Sequence, residues 1–178
     1  MTVIVDDRVG VLSRKLLEAM KITEQDKHFM QMAIDISVEN VKNGGGPFGA
    51  VIVRDGEVIA TGANRVTASN DPTAHAEVSA IRAACRKLET FRLSDCVIYT
   101  SCEPCPMCLS AIYWSGINTI YYGNTAEDAA DINFGDKFIY DEIGREMSDR
   151  KVPCINVMRN EALTAFRAWR DKSDKIEY

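Results

Sequence analysis

No run of apolar residues in this chain approaches the roughly 20 that a membrane span requires, and the opening residues, Met1 to Met20, carry acidic groups without the apolar core of a secretory signal. Basic charge is also short: 21 Lys and Arg face 26 Asp and Glu, a net of −5, which argues against a surface built mainly for phosphate contacts. The six cysteines, at 85, 96, 102, 105, 108 and 154, are few for this length and unevenly clustered, which excludes a disulfide framework and points to metal chemistry. Of these, Cys85, Cys96 and Cys154 read as small buried apolar residues. There is no internal repeat and no low-complexity stretch. The run Gly44-Gly45-Gly46 lacks the Lys and the spacing of a phosphate loop and reads as a helix stop and hinge. A cytoplasmic protein, with no membrane partner and no nucleic acid held by bulk charge, is the expectation.

What is present suffices for one compact domain: 178 residues, 46% of them hydrophobic. Residues 1–22 read as an N-terminal extension, although Leu12, Leu16, Leu17 and Met20 have helical spacing, and residues 23–178 read as the domain with its C-terminal segment. Thr23 with Asp26 three residues on forms a capping signal, and Phe29, Met32, Ala33 and Ile36 form an apolar stripe that ends near Asn43 and Gly44. Two strand-like runs, 48–54 and 57–61, flank Asp55-Gly56, a pair suited to a type I′ hairpin turn. Residues 74–88 predict a helix with Val78, Ile81, Ala84 and Leu88 on one side. Then come a buried strand at 96–100, a short helix at 106–114 stopped by Gly116, and a strand at 119–122, an order that implies parallel pairing. Farther on, 138–143 and 161–170 predict helices and 155–158 a last strand. The sum is an α/β fold, a three-layer α/β/α sandwich around a five-stranded mixed sheet.

The chemistry lies in two short motifs, His75-Ala76-Glu77 and Pro104-Cys105-Pro106-Met107-Cys108. Pro is favoured at the first position of a helix, so Cys105 falls at an N-cap with Cys108 one turn on; the two sulfurs can converge where unpaired N–H groups stabilise thiolates. His75 supplies the third ligand. Catalytic zinc takes three protein ligands and keeps a fourth position for water, whose pKa it lowers toward neutrality, whereas structural zinc closes its tetrahedron with four. Glu77 would then move protons, work that contributes about 10²- to 10⁴-fold. His75 and Glu77 cannot share one face of a regular helix, so this reading requires His75 in an irregular first turn. Cys102, three residues before Cys105, leaves open a Cys₃His structural site. The acidic group Glu127, Asp128, Asp131 and Asp136 does not match a calcium loop and reads as a solvated face, and His28 as a solvated helix residue.

At these motifs the chain resembles the cytidine deaminase-like superfamily of zinc nucleobase deaminases. Its longer runs, Gly46-Pro47-Phe48-Gly49-Ala50-Val51, Asn70 through Glu77, Ser101 through Cys108, and the ending with Phe166, Ala168-Trp169-Arg170 and Glu177-Tyr178, are similar to the bacterial guanine deaminases within it. The resemblance implies zinc on His75, Cys105 and Cys108, proton transfer by Glu77 and Asp136, and a purine surrounded by Phe48, Asn64, Asp136 and Tyr178. It further implies hydrolysis of guanine to xanthine and ammonia, and a homodimer in which C-terminal segments are exchanged, so that Tyr178 closes the neighbouring pocket. Gly135 stands where the family often has an acidic residue beside Asp136. Deamination of guanosine or another aminopurine, of adenosine in tRNA, and a non-catalytic zinc module all remain open at this stage.

Overall fold

A computed structural model describes residues 21–177. The expectations for Leu12, Leu16, Leu17, Met20 and Tyr178 fall outside the described residues. Helix α1, Glu24–Lys42, starts with a reciprocal capping box: Thr23 Oγ1 accepts from Asp26 N at 3.1 Å while Asp26 accepts from Thr23 N at 2.8 Å. Phe29 and Ala33 are its buried apolar stripe, and Asn43 and Gly44 end it. Strands β1, Gly49–Arg54, and β2, Glu57–Ala63, form the hairpin, with Asp55 and Gly56 both at positive φ as a type I′ turn demands. After a single turn, α2, Val66–Ser69, come helix α3, Ala76–Leu88, and strand β3, Val97–Cys102. Helix α4, Pro106–Ser115, leads into strand β4, Ile120–Asn124.

The sheet runs β2-β1-β3-β4, antiparallel except for the parallel pair β3 and β4 that α4 connects. Because side chains alternate across a strand, β1 feeds two cores. Ala50 and Ile52 pack with Ala76, Ala80 and Ile81 of α3 and with Ile112 of α4, while Val51 and Val53 pack on the opposite face with Phe29 and Ala33 of α1 and with Tyr99. That is the α/β/α sandwich, and it fixes the site because the starts of α3 and α4 fall on the same side of the sheet. The approach of α3 to β2 depends on Gly62: a Cβ there would stand 2.1 Å from Ala76 O and 2.6 Å from Ala80 N.

Among the described residues the sheet has four strands, not the expected five. Residues 155–158 form no strand; Ile155 is 84% exposed, Val157 is 75% exposed, and Met158 adopts a left-handed φ of 53° that breaks the extended run. An alternating apolar pattern states a capacity to pair, and a strand is made only when a ladder partner and a surface to bury on are both present. The remaining helices are α5, Ala126–Asp131, α6, Lys137–Ile143, and α7, Arg159–Asp171. Helix α5 lies in the stretch expected to be a plain acidic face; Thr125 and Asp128 build the same capping box there as Thr23 and Asp26. Cys154, expected to be buried, is exposed, whereas Cys96 is buried.

Substituting Gly62→Ala sets a side chain against backbone that cannot yield locally. The expected outcome is a loss of about 1–3 kcal/mol, or about 5 °C in Tm, in thermal melts of the metal-loaded protein.

Candidate active site

His75 is the N-cap of α3, with extended φ −69° and ψ 159°, and only Ala76 begins the helix. The irregular first turn that the two-residue spacing requires is therefore present, and it aims the imidazole and the Glu77 carboxylate into one space. Cys105 is the N-cap of α4, Pro106 occupies the first helical position, and Cys108 follows one turn later. His75 Nδ1 lies 3.6 Å from Cys105 Sγ and 3.5 Å from Cys108 Sγ, and the three ligand atoms lie within 4.8 Å of one another. Zinc bonds of about 2.3 Å to sulfur and 2.05 Å to nitrogen at the tetrahedral angle separate S from N by about 3.6 Å. The residues fit the ion without rearrangement of these two distances.

Glu77 is only 5% exposed. Its Oε1 accepts from Thr100 Oγ1 at 3.3 Å and its Oε2 from Cys108 Sγ at 3.4 Å. Burial pushes its pKa up from the ordinary carboxylate value. Beside it opens a cavity of about 480 Å³ lined by His75, Glu77, Cys105, Phe48, Asn64 and Asp136, together with Gly44 to Gly46, Cys102, Glu103 and the segment from Ala126 to Ile139. Cys102 lines this cavity but directs its Sγ toward Thr125 O at 3.6 Å, and among the described residues the metal-capable group is His75, Cys105 and Cys108. Three ligands, of which His75 and Cys105 face a cavity, are the arrangement of a catalytic site, which disfavours a closed Cys₃His tetrahedron.

Residues 23–124 match the family described as the cytidine and deoxycytidylate deaminase zinc-binding region. The chain belongs to that family. It is a hydrolytic deaminase with a zinc-binding domain. Over 151 residues it is 52% identical to the guanine deaminase of Bacillus subtilis, covering 84% of this chain and 97% of that one. The X-ray structure of guanine deaminase from Bacillus subtilis superposes with a TM-score of 0.84 at 50% identity, covering 88% of this chain and 99% of the other. The tRNA-specific adenosine deaminase of Agrobacterium fabrum is 40% identical over 111 residues, 62% of this chain and 73% of that enzyme.

In this deaminase the three ligand groups share protons with one another. Hydrogen bonds from Cys108 and then from His75 pull the Cys105 thiol down to about 4, while Cys108 is pushed up by the same bond and by burial. The hydrogen bond to Cys105 raises the His75 pKa. His75, Cys105 and Cys108 would release those shared protons on holding zinc.

Asn64 is buried at the end of β2; its Oδ1 accepts from Val66 N at 3.3 Å and its carbonyl accepts from Asn40 Nδ2 at 2.8 Å. The Phe48 ring meets Phe134 edge-on, with centroids 5.1 Å apart. Asp136 precedes α6, and burial pushes its pKa up. Sequence reasoning missed Thr100, whose contact with Glu77 joins a strand to a helix, and Phe134, which sits in a loop whose pairing with Phe48 has no local signature. It also missed the wall formed by Gly44 to Gly46, although the glycine run itself was visible.

Two substitutions separate holding a metal from moving a proton. Cys108→Ser is expected to lower zinc content well below one ion per chain, measured by elemental analysis. Glu77→Gln is expected to keep full zinc while kcat falls about 10²- to 10⁴-fold.

Proposed function

We infer that this chain hydrolyses guanine to xanthine and ammonia. The carrying observation is the extent of likeness: the match to the Bacillus subtilis guanine deaminase spans nearly all of that enzyme, C-terminal part included, whereas the tRNA deaminase shares a smaller piece. An acidic net charge of −5 further disfavours a polyanionic substrate. A zinc ion held by His75, Cys105 and Cys108 would supply an activated water at neutral pH.

The roles of the surrounding residues follow from their chemistry. Glu77, buried and with a raised pKa, is suited to take a proton from water and deliver it to a ring nitrogen. Phe48 offers a face for stacking a flat base, braced by the edge of Phe134. The Asn64 amide and the Asp136 carboxylate suit a purine that presents both N–H donors and lone pairs. With its pKa raised by burial and by the nearby Cys105 and Glu103, Asp136 is also suited to hand a proton to the departing amine.

The catalytic unit in this reading is 23–178, with 1–22 as an extension, and it works as a homodimer with exchanged C-terminal segments. Three features support the exchange. The apolar residues Ile155, Val157 and Phe166 are exposed. Strand β4 is an edge, with Tyr122 half exposed, and an edge strand can take another segment. A groove of about 470 Å³ between α1 and β4, lined by Ile22, Met30, Ile34 and Tyr121, could seat an amphipathic helix such as a partner's α7. Tyr178 would then close the partner's cavity. Cys105 and Cys108 must stay reduced to hold zinc, which suits a reducing compartment, the cytoplasm. No helix among the described residues is long and apolar enough to cross a membrane.

Ammonia release from guanine, guanosine, adenine, cytidine and tRNA tests the substrate: release from guanine and none from tRNA is expected, and turnover of tRNA alone would overturn the reading. For the exchange, Phe166→Asp is expected to convert the dimer to a monomer in light scattering. Mixing inactive Glu77→Gln and Tyr178→Ala dimers should restore partial turnover, because one site of each hybrid is then intact.

A further inference from the structure

The turn that carries Cys105 is fastened at two points to the segment that carries Phe134 and Asp136. Glu103 Oε2 accepts from Ala126 N at 3.2 Å, at the start of α5. From α6, Tyr140 donates its hydroxyl to Pro104 O at 3.2 Å. The two acceptors are consecutive residues just before Cys105, and the two donors bracket the whole stretch that the segment contributes to the cavity, from Ala126 through Phe134 and Asp136 to Ile139. Glu103 is itself anchored, since its N–H donates to Asn124 O at 2.8 Å beyond the β3 and β4 ladder.

These bonds matter because little else holds the segment. Neither α5 nor α6 has a buried residue, so apolar burial contributes little to their placement. Besides the two hydrogen bonds, the Cys102 thiol reaches Thr125 O at 3.6 Å at the cap of α5, and Phe134 meets Phe48 edge-on. The separation between the metal ligands and the groups facing the base is thus set by the Glu103 and Pro104 turn.

We propose that Glu103 and Tyr140 are positioning residues that fasten the wall bearing Phe134 and Asp136 to the metal-ligand turn. The proposal rests on the guanine reading only for its kinetic consequence. Neither side chain need touch the base: each acts through the segment it holds, so its loss weakens substrate capture while ligands and zinc stay in place. Loss of one such bond costs a small factor, about 3- to 10-fold.

Zinc-loaded Tyr140→Phe, Glu103→Ala, Glu103→Gln and the Tyr140→Phe/Glu103→Ala pair test this by hydrogen exchange and by steady-state kinetics on guanine. Expected for Tyr140→Phe and Glu103→Ala are faster amide exchange across 126–140, a kcat/KM lowered about 3- to 10-fold, and unchanged zinc content. Glu103→Gln keeps a carbonyl oxygen for Ala126 N and is expected to keep the parent's amide exchange across 126–140 and its zinc content. The pair should fall short of the product of the single effects, because both bonds hold one segment. Unchanged exchange in Tyr140→Phe, or loss of zinc from it, would overturn the proposal. A parent protein inactive on guanine would instead remove the substrate reading, while the exchange data would still decide the fastening.

Discussion

Everything at the active site depends on His75 standing outside the helix that it precedes. Two residues apart on a regular helix, His75 and Glu77 would point about 200° apart, and one of them would leave the cavity. The extended backbone at His75 removes that conflict, and the close seat of Ala76 and Ala80 on Gly62 holds the start of α3 where the imidazole meets two thiols. Cys105 obeys the same rule on α4, as an extended N-cap before a proline. Ligands at helix starts also gain from free N–H groups, which favour the thiolate form. The sheet contributes by placing both starts on one of its faces.

The buried carboxylate is the second consequence. A nine-tenths buried Glu is costly unless its charge is neutralised or bonded, and Glu77 has the Thr100 hydroxyl on one oxygen and the Cys108 sulfur on the other. Burial raises its pKa against the lowering effect of the Cys108 hydrogen bond, and a raised pKa suits a group that accepts and returns a proton near neutrality. Thr100 comes from β3 and Cys108 from α4, so sheet, helix and metal centre all bear on one side chain.

How far the sequence discloses this depends on whether the signal is local. The capping boxes, the Asp55-Gly56 turn, the proline after Cys105 and the His75 and Glu77 spacing act within a few residues, so they specify the first helix, the hairpin and the zinc motif directly. The box at Thr125 and Asp128 is as legible as the one at Thr23, but the acidic composition around it masked α5. Phe134 against Phe48 and Thr100 against Glu77 are contacts between distant parts of the chain, and only the assembled fold brings them together. Asn64, Asp136 and Tyr178 carried no local signal and entered through family resemblance alone.

The missing fifth strand follows from the same distinction. Residues 155–158 alternate as a strand should, yet Ile155 and Val157 face solvent and the left-handed Met158 turns the chain toward α7. Leaving several large apolar side chains in water is unfavourable by about 25 cal/mol for each Å², and an edge strand next to an apolar groove offers a place to remove them. In the homodimer proposed above, the same surplus and the same vacancy would occur on both copies, and a twofold axis would satisfy them together.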